Sequence, residues 1–498
     1  MTRPLTKPVG LIVSLLLTAL VLGPAQAGDK AKGDIPITTS SANAKALFLK
    51  GQAALDRGDF IDANALFLEA AALDEGFAYA WLNAANSSFS PEAFNKRAKK
   101  AHKKAASASD GERLLTEIAV SFANNDADQR LKASRKLIEA YPESKRAWIA
   151  RGTVLGGLNR NEEARAAFRR TAELGGDWAV PYTALGFSYL FNQPKDFERA
   201  EDNMAKAIAI DPDNDNAWIN LGDVHRAQQA LAKARDDYGK AAELDARNGL
   251  AFIKRAHVNS FLGAYDDARV DYDRSVALAR QQNKANYANY RAFTHVHEGK
   301  PDAAVAELET LNAAIGEMDM PDQQRNSAQV FTLTNQATIA LHHGMVEVAD
   351  RAIQRVAANL RDSAAQVDNP AYARNQEATI AYWQGLLAAR SGDYDTALAM
   401  ARKNADLLAP DANPRKMEPY HDLMGLVALL RNDNEQAIAH YEQANPGNMY
   451  SRYHLGLAHE AAGHAQEARD IFKQVGEWNF NSVGYALVRK DALQRIAS

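Results

Sequence analysis

The sequence of 498 residues contains no cysteine. That removes disulfides, thiolate metal sites and a cysteine nucleophile together. An excess of one charge is also missing. Its 58 Lys and Arg against 62 Asp and Glu leave a net charge of -4, with no overall pull toward nucleic acid or anionic lipid. No apolar run of spanning length follows Leu22. The G-x-S-x-G nucleophile turn, the P-loop and the G-x-G-x-x-G dinucleotide loop are absent too. Nothing therefore points to a catalytic set, and the expectation is a non-enzymatic protein without cofactor or metal.

What is there begins at the N-terminus. Arg3 and Lys7 precede an apolar stretch from Val9 to Leu22, followed by Gly23-Pro24 and Ala25-Gln26-Ala27. A basic start, a short apolar core and an A-x-A site describe a secretory signal peptide over residues 1–27. Cleavage near Ala27 would send the chain out of the cytoplasm, to a periplasmic or secreted location. Residues 28–41 are expected to be a flexible lead-in.

"DPDNDNAWINLGD", residues 211–223, alternates Asp like a calcium loop. An EF-hand needs Gly at position 6 and Glu at position 12. Asn216 and Gly222 stand there instead. "HEAAGH", from His459 to His464, fails likewise as a zinc motif: its histidines are five apart, and two ligands on one helical face must be four apart. The alternative for residues 211–223 is a joint between helices: Pro ends one, and Asp or Asn caps the next.

Internal repetition supports the joint. The stretches starting at Ala147, Ala217 and Ala251 align without gaps. Each has an aromatic residue (Trp148, Trp218, Phe252), then a small one (Gly152, Gly222, Ala256). Next come an alanine (Ala164, Ala234, Ala268) and a second ring (Phe168, Tyr238, Tyr272). Ala234 to Ala268 is a period of 34 residues. The small residue permits close approach of two helices, the alanine sits at the same crossing, and the rings are expected to fill the wedge between successive units.

This pattern resembles the tetratricopeptide repeat family over most of the chain. The fold that follows is all-α: a right-handed superhelical solenoid of antiparallel helix pairs over residues 42–480, best matched at about 145–280. Residues 481–498 would form a C-terminal capping helix, covering the apolar end that any solenoid exposes. Spacing stretches near 312–330 and 358–377, where longer connections or extended helices are expected.

The resemblance implies a concave groove lined by first helices. It places Phe187, Phe191, Asp223, Arg226, His257, Phe261, Phe293 and Tyr382 there. Rings alternating with polar groups suit an extended peptide or a partner helix. The family's carboxylate-clamping groove is not supported, because Ile219 and Ile253 stand where its Lys would be and Asp223 where its Asn would be. A second charged feature is the helix 94–105, with Lys96, Arg97, Lys99, Lys100, Lys103 and Lys104. Its default is a solvated face, and an acidic partner or lipid surface is the alternative. No aromatics interleave for base stacking. The function expected is an exported scaffold holding a protein or peptide partner, in a cell-envelope assembly. Alternatives are a regulatory or substrate-presenting subunit of an envelope enzyme, and a peripheral membrane protein using the basic helix.

Overall fold

A computed structural model describes residues 33–497. The predicted signal peptide, residues 1–27, and the start of the lead-in lie outside the described residues. The described chain divides into two compact units at Asp245/Ala246. In the first, six helix pairs follow one another: α1 (Ala42–Asp56) with α2 (Phe60–Leu73), α3 (Ala78–Asn86) with α4 (Pro91–Lys104), α5 (Asp110–Ala123) with α6 (Ala127–Ala140), α7 (Lys145–Gly157) with α8 (Asn161–Gly175), α9 (Val180–Phe191) with α10 (Phe197–Ile210), and α11 (Asp215–Ala227) with α12 (Leu231–Leu244). The second holds α13 (Gly249–Leu262) with α14 (Tyr265–Leu278), α15 (Gln281–Glu298) with α16 (Pro301–Gly316), α17 (Asp322–His342) with α18 (Val346–Ala365), α19 (Pro370–Arg390) with α20 (Tyr394–Leu408), α21 (Glu418–Leu430) with α22 (Asn434–Tyr441), α23 (Met449–Ala461) with α24 (Ala465–Gly476), and a last helix α25 (Val483–Ala497). Residues 312–330 and 358–377 are mostly helix: α17, α18 and α19 are each 20 or 21 residues long.

The pairing rests on a small-residue contact inside each unit. A Cβ on Gly152 would lie 2.3 Å from Phe168 Cε1, and one on Gly222 would lie 2.6 Å from Tyr238 Cε1. Gly51 with Phe67 and Gly456 with Phe472 repeat the arrangement. Where a repeat has both the glycine and the second ring, the ring thus closes on the glycine of its own pair. The ring also reaches the next pair, as a wedge residue should: Tyr272 stacks on Tyr290 with centroids 6.3 Å apart, and Tyr441 on His454 at 6.0 Å. The ring covers a bare backbone, so the two helices approach more closely than any side chain would permit. Ala164, Ala200, Ala234 and Ala268 are buried at the same crossings.

The turn inside a pair repeats as well. Gly58, Asn125, Asn159, Gln229, Gly263, Gly299, Gly344, Gly392, Asn432 and Gly463 have positive φ there. One left-handed residue ends the first helix and reverses the chain, which favours Gly or Asn. The joints between pairs are capped. In "DPDNDNAW" the Asn214 side chain accepts the Ala217 N–H at 3.0 Å, and Trp218 Nε1 donates to the Pro212 carbonyl at 3.1 Å. Trp148 donates to the Pro142 carbonyl at 2.8 Å in the same way. The longer turn of the fifth pair is fastened by buried Arg165, which donates to the carbonyls of Ser188, Asn192 and Pro194.

Both chain ends of the described structure fold back onto their own unit. Residues 33–41, expected to be flexible, run extended along the joints of the first unit. Ile35 is buried against Gly111, Ser144 Oγ meets Asp34 at 3.1 Å, and the Thr38 N–H reaches Glu112 at 2.9 Å. A branched apolar side chain seated over a glycine, with hydrogen bonds on either side, explains why this segment is held. In the second unit α25 packs on α24, as a capping helix should. It also crosses to α15, α17 and α23, inside the row of first helices.

Candidate functional site

The predicted groove residues fall into three environments. Phe187 and Phe191 form a ring pair on α9 with centroids 4.6 Å apart, and Phe191 is 38% exposed. They present aromatic surface on the first-helix row of the first unit. Asp223 and Arg226 are on α11, but both are buried. Arg226 Nη2 lies 3.1 Å from Asp223 Oδ1, which also accepts the Tyr238 hydroxyl at 2.7 Å. Burial raises the Tyr238 hydroxyl well above its usual range, so it remains a donor. Next to them His225 bridges Asp237 at 2.5 Å and Glu201 at 3.2 Å.

His257, Phe261 and Phe293 belong to the second unit and face α25. His257 Nδ1 lies 2.6 Å from the Tyr272 hydroxyl, which also takes a bond from Asn481 Nδ2 at 3.1 Å. Phe261 meets the Tyr485 ring edge-on, and the Arg489 guanidinium lies 5.2 Å from its centroid. Arg489 Nη1 donates to the Phe261 carbonyl at 3.1 Å. Phe293 is 1% exposed and shares an apolar cluster with Ala486. This part of the expected groove is therefore filled by the chain's own C-terminal segment.

Tyr382 lies farther along, in a cavity of about 320 Å³ between α17, α19, α21 and α23 and the start of α25. Its hydroxyl donates to Asp422 Oδ2 at 2.6 Å, while Ser451 donates to Asp422 Oδ1. Burial raises the Asp422 carboxyl above the usual carboxylate range, and those two donors oppose the shift. Arg390 Nη2 reaches the Tyr450 hydroxyl and His454 Nε2, both at 3.2 Å. Burial pushes His454 down to about 3 and His342 down to about 4, so both rings are neutral. Neutral His454 accepts from Arg390, and His342 Nδ1 meets the Tyr450 hydroxyl at 2.9 Å.

Arg390, Asp422, Tyr450 and His454 were not among the residues predicted from sequence. A signal for two of them exists. Tyr382 stands three residues before Gly385 and Asp422 three before Gly425. Arg390 stands five after Gly385, as Phe191 does after Gly186. Applying one register to every repeat would have found both.

The basic helix is α4. Lys96, Lys99 and Lys103 are exposed. Arg97 donates to the Ala84 carbonyl at 2.8 Å, Lys100 sits 3.5 Å over the Trp81 ring, and Lys104 lies 4.0 Å from Glu75. Half of the positive charges are thus engaged by their own pair or by the joint that precedes it.

Three stretches match models described as tetratricopeptide repeat: residues 195–251, 378–403 and 428–490. No curated protein matches the sequence. Solved structures with related helix pairs include PilW, described as a widely conserved type IV pilus biogenesis factor. It is 18% identical, with 42% of this chain and 95% of that one covered and a TM-score of 0.36. YrrB, described as a TPR protein with an unusual peptide-binding site, is 21% identical, with 36% and 90% covered and a TM-score of 0.30. A tetratricopeptide repeat protein from Parabacteroides merdae is 14% identical, with 65% and 100% covered and a TM-score of 0.32. Helix pairs of one recurring build, together with the three matched stretches, make this chain a tetratricopeptide repeat protein.

Proposed function

We propose that the protein is an exported, non-catalytic scaffold that binds a protein or peptide partner, within a cell-envelope assembly. The observation that carries this reading is the Phe187–Phe191 pair. Two rings 4.6 Å apart, one of them 38% exposed, stand on a first helix of the first unit. Exposed paired aromatics give a partner contact area with little conformational entropy to lose. The buried polar groups of the neighbouring pair are held to one another, Arg226 of α11 and Tyr238 of α12 to Asp223. They shape the surface rather than offer chemistry. In the second unit the equivalent face is already covered by α25. The partner surface is accordingly assigned to the first unit. The basic start, apolar core and A-x-A sequence of residues 1–27 support export.

The test is recovery of partners by crosslinking from the cell envelope, with Phe187→Ala/Phe191→Ala beside wild type and N-terminal sequencing of the purified chain. The proposal expects a mature N-terminus at Gly28 and a partner lost by the folded double variant. A chain retaining Met1 contradicts export. A partner held equally by both chains contradicts the placement of the surface.

A further inference from the structure

The cavity of the second unit has features that partner binding on the first unit does not use. Its volume of about 320 Å³ is in the range of small-molecule sites. One wall is apolar and aromatic, with Leu341, Leu386 and Trp383. Arg390 stands one turn beyond Leu386 on the same face of α19. The recorded partners of this guanidinium are neutral, the Tyr450 hydroxyl and His454 Nε2, and no described carboxylate lies within ion-pair reach. The buried Asp422 carboxyl of the same lining is its longer-range counter-charge and makes no direct ion pair with it, so an anion in contact with the guanidinium would add a charge-assisted pair that the cavity lacks. Asp422, the acidic residue of the lining, already receives two hydroxyl donors, from Tyr382 and Ser451.

The start of α25 forms part of the same lining. Ser482 uses its Oγ for the Tyr485 N–H at 3.2 Å and its carbonyl for the Ala486 N–H at 2.9 Å. The leading N–H groups, of Val483 and Gly484, have no partner within the helix and carry the positive end of its dipole. A Cβ on Gly484 would lie 2.8 Å from Tyr450 Cβ. The missing side chain therefore lets this helix start settle directly against α23, beside the residue that Arg390 contacts.

We propose that this cavity binds a small organic monocarboxylate, with its acid group between the Arg390 guanidinium and the leading N–H groups of α25, and its body against the leucine and tryptophan wall. Held at both places, the acid links α19 to the C-terminal helix and stabilises the docking of that helix. This inference is independent of the partner surface on α9.

The test uses the full chain titrated with benzoate, phenylacetate and hexanoate, and with the corresponding amides. Thermal midpoint and intrinsic tryptophan fluorescence, compared with a Trp383→Phe chain, are the readouts. The expected result is saturable binding of at least one acid, at least ten-fold weaker binding of its amide, and a rise in midpoint with the acid. Arg390→Gln should weaken acid binding at least ten-fold, and Arg390→Lys should recover part of it. The acid–amide comparison on wild type stands even if a variant fails to fold. Equal affinity for acid and amide, or no binding by any acid, overturns the proposal. So does inorganic phosphate binding as tightly as the best acid. A peptide with a free C-terminal carboxylate that binds where the free acids do not would also overturn it, by assigning the cavity to a chain end.

Discussion

Arg146 and Asp56, 90 residues apart in sequence, form a two-pronged ion pair with Nη1–Oδ1 at 2.9 Å and Nη2–Oδ2 at 2.8 Å. The Arg146 guanidinium lies 4.5 Å from the Trp178 ring centroid, and Trp178 Nε1 donates to Asp56 Oδ2 at 3.0 Å. Asn216 Nδ2 then reaches the Arg57 carbonyl at 3.1 Å. The inner turn of the first pair is thereby fastened to the fourth, fifth and sixth pairs. Within this unit the repeats close on themselves instead of running on as an open row.

Asp56→Ala should therefore do more than loosen one pair. It leaves a fully buried guanidinium without its counter-charge, and removing one partner of such a pair costs about 3–5 kcal/mol. Urea unfolding of the variant should show a free energy of unfolding lowered to that extent, with the midpoint shifted accordingly. A change within a few tenths of a kcal/mol, as for an exposed pair, would mean that the contact does not hold the unit together.

The helix crossings give a second prediction. Gly152→Ala places a Cβ 2.3 Å from Phe168 Cε1, and Ala234→Arg drives a charge into a fully buried position. Overpacking costs roughly 1–3 kcal/mol, and a buried unpaired charge adds several more. Thermal unfolding should rank Ala234→Arg well below Gly152→Ala, with both below wild type. An unchanged midpoint in either variant would contradict the register.

Acidification should weaken the second unit. Burial holds His297 at about 4, His342 at about 4 and His454 at about 3. Each folded pKa is below the unfolded value near 6.5, so between those limits the unfolded chain binds protons that the folded chain refuses. The stability they contribute is whole above about pH 6.5 and is lost as the pH falls toward about 4. Asp422, raised by burial, works in the opposite direction and offsets part of the loss. The urea midpoint should fall between pH 7 and pH 5, less steeply in His454→Gln. Parallel pH profiles for the two chains would contradict the assignment.

Removing the C-terminal helix should expose what it covers. A chain ending at Gly476 uncovers Phe261 and Phe293, and deprives Tyr272 of its bond from Asn481. The truncated chain should bind a hydrophobic dye that the full chain does not, and should unfold at a lower temperature. Equal dye binding by both chains would mean that α25 does not cover this face.

The repeat was legible because its determinants are local and periodic. Gly152 with Phe168, and Gly222 with Tyr238, recur at one spacing because both residues of each pair build one crossing. Left-handed turn residues such as Gly58 and Gly392 recur inside successive pairs for the same reason. The closure by Asp56, Arg146 and Trp178 was not, since each residue alone reads as an ordinary surface or joint position. The docking of α25 was equally hidden. Asn481 meets Tyr272 across 209 residues, and Arg489 meets Phe261 across 228. No periodicity links such partners. That is why His257, Phe261 and Phe293, correctly placed on first helices, lie beneath the chain's own tail.

The central claim is that the partner surface lies on α9 while the corresponding face of the second unit is occupied from within. Photocrosslinking by a benzophenone amino acid tests it directly, with the probe at Phe187 in one chain and at Phe261 in another, both in the native envelope. The account predicts a crosslink to a different protein from Phe187, and from Phe261 crosslinks only within its own chain, to α25 and to His297 beside it. A foreign crosslink from Phe261 with none from Phe187 would contradict it.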